Sequence, residues 1–298
     1  MASTPALPPS VVELDGPWRH EYLHTRGLRL HAATLGDPSR PLILCLHGSL
    51  GGWFDYQYVL EPLAAAGYHV AALDLRGYGL SDKPPVALGQ DIRVLIGDVT
   101  GAIQALGHDR AVLVGNDTSA GLAWATACER PERVAGVVSI SGAHPRDLRR
   151  AMHARPWDFG WLLLRTLLVR LPLVRLAPWG MLTDTELRLN VAGDSPRVRE
   201  TAALRGQARL IGNTFRGFLW NHRLLTAPVP QLSSVLADAP VLFLHANQRL
   251  WGPVLRRARR RARQLQPAHV AGSKNLPHIE QPEEFVAVVR DWLAQEGL

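Results

Sequence analysis

The sequence predicts an α/β fold, a mostly parallel sheet with helices on both faces. Two observations carry that expectation. Short continuous apolar runs recur, as strands buried on both faces require. Each is followed by a loop and then by a helix-period segment, the rhythm of parallel β-α-β units. The rhythm opens with Glu21-Tyr22-Leu23-His24 and Leu28-Arg29-Leu30-His31-Ala32. These alternate around Thr25-Arg26-Gly27 and read as a hairpin. Pro41 to Leu46 is a central strand, and the Gly-rich loop His47-Gly48-Ser49-Leu50-Gly51-Gly52 leads to a helix from about Tyr56 to Ala66. His69 to Leu73 is the next buried strand, and a helix spans about Ile92 to Leu106.

Ala111 to Gly121 then reads as a buried strand, a sharp turn and a helix. The turn Gly115-Asn116-Asp117-Thr118-Ser119 has the form small-x-Asp-x-small. That is the layout of an elbow that lifts one side chain, here Asp117, above the end of a sheet. A strand over Val134 to Ile140 follows, and the rhythm breaks after Gly142. From 145 to 235 the pattern is helical and rich in Arg and Trp, including Trp157, Trp161, Trp179 and Trp220. It reads as an inserted helical lid between two parts of one core domain, 1–144 and 236–298. The core resumes with a strand at Pro240 to Leu244, a basic helix, a short strand at Ala268 to Ala271 and a helix from about Pro282 to Ala294. Ligands in open α/β sheets bind beyond the carboxyl ends of the strands. His47, Asp117, Ser141 and His245 stand at such ends.

Composition bounds the function. The 298 residues are 47% hydrophobic, enough for a sizeable core, and no run of 18 apolar residues suggests a membrane span. The amino terminus has no basic start followed by an apolar segment, so no signal peptide is expected. Cys45 and Cys128 read as buried free thiols in a reducing cytoplasm. The net charge of +7 invites a nucleic-acid reading, but only Lys83 and Lys274 are lysines. Such an arginine skew reports a GC-rich genome, and the run Arg256 to Arg263 reads as a solvated helix face. No nucleic-acid or membrane partner is expected, and oligomeric state is not legible.

These pieces resemble the α/β-hydrolase fold, with a mostly parallel eight-stranded sheet, and within it the epoxide hydrolase and haloalkane dehalogenase branch. Three stretches carry the resemblance: His47-Gly48, Asp74-Leu75-Arg76-Gly77-Tyr78-Gly79-Leu80-Ser81, and the aspartate elbow followed by Arg130-Pro131-Glu132-Arg133-Val134. The resemblance implies Asp117 as the nucleophile and the Ser49 and Thr118 amides as an oxyanion hole. The family's catalytic histidine would fall in a pattern similar to Gly-His-x-Pro-His. This chain reads Lys274-Asn275-Leu276-Pro277-His278, which puts Asn275 at that position and His278 at an auxiliary one. Asn cannot take a proton as a general base. The family's acid position falls on Arg249, and the residue after the nucleophile is Thr118 rather than a halide-binding Trp. All five tyrosines precede the lid, so the lid tyrosines that activate epoxides in the family are absent.

The residues leave alternatives open. Asp117 can be a helix N-cap or a working carboxylate. His278 and His245 can be structural or can supply a relocated base. His144, before Pro145 at the lid entry, reads as structural. His47, Trp157, Trp161, Trp220 and Arg249 are candidates to line a substrate site, Arg249 through its planar fork. Three functions compete. The first is a cofactor-free, non-hydrolytic enzyme of secondary metabolism with Asp117 as acid or base of raised pKa, acting on a hydrophobic small molecule. The second is a true hydrolase using His278 or His245. The third is a ligand-binding pseudoenzyme. No metal ligand set is expected.

Overall fold

The computed structural model describes residues 6–85, 91–170, 179–226 and 236–298, and its sheet has eight strands. β1 (Arg19–Thr25) and β2 (Leu28–Leu35) form the expected hairpin around Arg26 and Gly27, both at positive φ. β3 (Leu42–Leu46), β4 (His69–Leu73), β5 (Ala111–Asn116), β6 (Val134–Ile140), β7 (Val241–Leu244) and β8 (Leu265–Ala268) complete it. The order is β1-β2-β4-β3-β5-β6-β7-β8, with β2 antiparallel to both of its neighbours and the other pairings parallel.

The central strands are mostly apolar because both faces are covered. Leu44, Leu46, Leu113 and Val137 pack with α2 (Arg93–Ala105) and α3 (Thr118–Glu129). Ile43, Cys45, Val112, Val114 and Val138 face the opposite layer, whose helical residues include Leu60 and Leu63 of α1 (Gln57–Ala65). Cys45 and Cys128 are buried and free.

Between β6 and β7 lie α4 (Pro145–Ala154), α5 (Gly160–Leu168), α6 (Trp179–Asn190), α7 (Pro196–Ala208) and α8 (Thr214–Thr226). Residues 227–235, where the lid was expected to end, fall outside the described residues, as does the Trp179 side chain. α9 (Trp251–Ala258), α10 (Pro277–Glu280) and α11 (Pro282–Glu296) belong to the carboxy-terminal part, where Phe285 and Val289 of α11 join the α1 layer.

Two expectations need correction. β8 lies three residues before its expected start at Ala268, because the register with β7 pairs Val241 with Leu265. Its side chains are half-buried or exposed, so no apolar run marks it, and Val270 packs beyond its end. The basic run is not a single helix face. α9 stops at Ala258, and Arg261 turns inward to bond Asp147 at 2.9 and 3.2 Å. No described helix is long and apolar enough to cross a membrane.

Candidate active site

The elbow is built by strain and small neighbours. Asp117 has φ 51° and ψ −120°, which an L residue adopts only when its surroundings hold it there. A Cβ at Gly115 would collide with the Ser119 carbonyl, so glycine is required for the chain to double back. Ser119 Oγ donates to the His47 carbonyl at 2.5 Å, tying the elbow helix to the Gly-rich loop. Asp117 occupies the N-cap position of α3 without making a side-chain capping bond, so capping does not explain its carboxylate.

That carboxylate is answered from both halves of the molecule. The Ser49 amide donates to Oδ2 at 3.4 Å. From the insertion, Arg165 of α5 donates to Oδ1 at 2.9 Å, and its other terminal nitrogen donates to Glu186 of α6 at 2.8 Å. Arg165 is 5% exposed, whereas Asp117 retains 30% exposure toward the cavity. Burial alone would raise the Asp117 pKa. The Arg165 charge and hydrogen bond and the Thr118 amide outweigh it, and the pKa falls below the usual carboxylate value. The expectation of a raised pKa is therefore overturned, and Asp117 is held ionised.

His222 of α8 is buried beside this pair, with Nδ1 3.0 Å from Ser49 Oγ, which is also 2.8 Å from Thr118 Oγ1. Its Nε2 has no hydrogen-bond partner among the described residues. Burial first, then the Arg165 charge, push its pKa well below the ordinary imidazole value, so His222 is neutral.

Asp117, Ser49 and Thr118 open on a cavity of about 620 Å³, lined also by Leu148, Met152, Phe159, Trp161, Leu162 and Asn275. A volume in this range suits a small organic ligand. The Asn275 amide is bonded at both ends: Nδ2 donates to Asn190 Oδ1 at 2.8 Å, and Oδ1 accepts from Ser141 at 3.1 Å and Trp251 at 3.3 Å. It fastens its loop to α6, which a proton-accepting imidazole could not do in the same way. Trp161 lines the cavity and donates to Glu186.

Other expected site residues lie elsewhere. His278 is buried against Tyr56, ring centroids 4.7 Å apart, outside the cavity lining. Neither ring nitrogen has a described hydrogen-bond partner, and burial lowers its pKa to about 3. His245 bonds the Ala246 carbonyl at 3.0 Å and stands outside the lining, with His269 beside it. Both nitrogens of His47 are committed to backbone: Nδ1 donates to the Gly48 carbonyl at 2.8 Å, and Nε2 accepts from the Leu75 amide at 3.1 Å. His47 therefore positions the loop instead of touching a ligand. Trp157 is 75% exposed. Trp220 packs on the core beside a separate small pocket with Arg76 and Asn221. Arg249 is exposed, while its neighbour Gln248 reaches the cavity. His144 is buried at the start of α4 and accepts the Arg146 amide, a structural cap.

Arg165, Glu186 and His222 were missed. A single polar residue on a helix breaks no pattern. The one available signal was a charge inside the apolar run Leu162-Leu163-Leu164-Arg165-Thr166-Leu167-Leu168. Among the described residues, no group of three or more His, Cys, Asp or Glu side chains is placed to hold a metal ion.

A family model described as alpha/beta hydrolase fold matches residues 41–248, and the chain belongs to that family. Within it the chain is similar to the epoxide hydrolase branch. Epoxide hydrolase B of Mycobacterium tuberculosis is 42% identical over 124 residues, 41% of this chain and 35% of that protein. The AB hydrolase superfamily protein YfhM of Bacillus subtilis is 36% identical over 129 residues, 43% of this chain and 45% of that one. The matched segment thus spans well under two thirds of either relative. Among solved structures, a Bacillus megaterium epoxide hydrolase in complex with an inhibitor aligns with a TM-score of 0.76 at 21% identity, over 92% of this chain and 100% of that one. Epoxide hydrolase A of Mycobacterium thermoresistibile aligns with a TM-score of 0.70 at 24% identity, over 93% and 98%. At these identities the structural likeness is one of fold.

Proposed function

We propose that the chain is an enzyme that rearranges a hydrophobic small molecule without hydrolysis and without a cofactor, by cyclisation, isomerisation, elimination or epoxide opening by an internal nucleophile. One observation carries this reading. The elbow carboxylate is ion-paired with Arg165 at 2.9 Å, while Asn275, whose amide is bonded to Asn190, falls at the position that the resemblance gives to the family's base. An alkyl ester formed on Asp117 would lack the family's histidine to hydrolyse it. A carboxylate held ionised can instead accept a proton from a substrate hydroxyl or carbon as the bond rearranges. Arg165 stabilises negative charge developing on the substrate oxygen, and the proton returns to that oxygen. Asp117 serves as base and fixed charge. Its lowered pKa excludes it as a resting acid at neutral pH.

The test is turnover of a panel of epoxides and hydroxy-epoxides in ¹⁸O-labelled water. Products isomeric with their substrates and free of label support the reading; labelled diols refute it. The strained elbow and the Nε2 of His222, without a partner among the described residues, favour a second reading, a hydrolase whose base comes from the insertion. In that case His222→Gln would trap an ester on Asp117, visible by intact mass.

A further inference from the structure

We propose that the cavity takes an amphiphile with an anionic head, a medium-chain carboxylate, whose head seats on Arg149 and Arg170 at the cavity mouth. The inference rests on the reading above that this cavity is the small-molecule site, and it names the substrate class.

The charges lining the cavity sort into two groups. Arg165 is committed to Asp117 and Glu186, and Arg205 to Asp55 at 2.8 Å. Asp158 faces Arg155 at 3.9 Å, and the Lys274 charge lies near Glu280. Arg149 and Arg170 remain. Among the described residues Arg170 bonds only neutral oxygens, the carbonyls of Thr166 and Thr226 at 2.9 and 3.2 Å and the Thr226 hydroxyl at 3.1 Å. Arg149, half-buried on α4, has no ion pair or hydrogen bond with a described residue. Close by, Arg223 bonds the Val169 carbonyl at 2.7 and 2.9 Å and no other described residue. Burial, then Arg149, then Arg223 push the Arg170 pKa below the ordinary guanidinium value.

Crowded guanidiniums without a carboxylate repel one another, and an anion relieves that repulsion. The planar fork of arginine fits a carboxylate in particular. The same cavity carries Leu148, Met152, Leu162, Leu163 and Leu225, an apolar lining suited to an alkyl chain, and opens on Asp117. A second carboxylate beside Asp117 would be repelled by it, which directs the head to the mouth and the uncharged part of the chain to the elbow.

Calorimetric titration with dodecanoate, dodecanol and methyl dodecanoate, each below its micelle-forming concentration, tests the proposal. Dodecanoate should bind about tenfold more tightly than either neutral compound at low salt, the worth of a charge-assisted hydrogen bond. The advantage should shrink at high salt, collapse in Arg149→Gln and partly return in Arg149→Lys. Arg170→Gln should act in the same direction. Its bonds to Thr226 help tie α5 to α8, so Arg149, with no such bonds among the described residues, gives the cleaner test. Asp117→Asn should leave the preference for the acid in place. Equal binding of acid and alcohol, no binding of any of the three, a preference that survives Arg149→Gln, or one lost in Asp117→Asn alone would each overturn the assignment. Labelled diols in the isotope experiment would refute the non-hydrolytic reading and leave the head-group preference standing, so the two failures are distinguishable.

Discussion

The two halves of the cavity are made differently. On the core side, Ser49, Asp117, Thr118 and Asn275 stand on loops beyond strand ends or at the head of α3, placed by a sheet whose strands are buried on both faces. On the insertion side, Arg165 of α5 and Glu186 of α6 line it, and His222 of α8 is buried behind them against Ser49. The core gives Asp117 its position and strained backbone. The insertion supplies the guanidinium that holds it ionised. The position of a carboxylate is thus a property of the fold, while its charge state, and with it its chemistry, belongs to the inserted helices.

The most direct way to break that division is Arg165→Ala. It would leave Asp117 and Glu186 as neighbouring carboxylates without their shared cation. Removing one partner from a buried ion pair costs about 3–5 kcal/mol, and Asp117's access to the cavity places this case toward the lower end. Urea unfolding should show a lowered midpoint. Arg165→Met combined with Asp117→Asn should recover part of the loss, since the charge pair is removed together. A midpoint unmoved by Arg165→Ala would mean that the insertion does not control the elbow.

The next effect concerns His278, which the sequence motif marks and the structure buries beside Tyr56. Its pKa is lowered to about 3, while an unfolded chain returns it to the ordinary value near 6.5. The sign follows from proton counting. Between those two values the unfolded state binds more protons, so stability is full above about 6.5 and falls as pH drops toward 3. Burial takes His144 to about 4 and adds in the same direction. Asp117 and Asp74, whose folded pKa values are lowered, lose their contributions only further into acid. His278→Phe, which can keep the ring stack, should flatten the decline of the urea midpoint between pH 6.5 and 4 without abolishing it. Turnover at neutral pH should survive the change. Loss of turnover with the fold intact would return His278 to the catalytic candidates.

The legibility of the sequence divides along the same line. Central strands announce themselves because covering both faces favours continuous apolar runs, and the elbow does so because its turn admits only small neighbours. β8 was placed three residues late because its side chains are half-buried or exposed, which removes the pattern. Asn275 was legible only through a family resemblance, as a residue of the wrong chemistry at a marked place. His245 and His278 were overread, since a histidine near a strand end or in a motif says nothing about which way its ring turns. Arg165 and His222 depend on how helices stack across a long chain separation. No local spacing encodes that contact.

The smallest expected effect separates two tryptophans that the sequence treated alike. Trp157 is 75% exposed, so Trp157→Ala should change the unfolding free energy by no more than about 0.5 kcal/mol and leave ligand binding unchanged. Trp161 lines the cavity and donates its indole N–H to Glu186, the second carboxylate on Arg165. Trp161→Phe keeps the apolar wall and removes only that donor, which should cost about 1 kcal/mol. The altered balance of charge around Arg165 should also show in the pH profile of turnover. A change of equal size at the two tryptophans would place the controlling contact at the surface of the insertion. A change confined to Trp161 would place it in the chain of contacts from Trp161 through Glu186 and Arg165 to the elbow carboxylate.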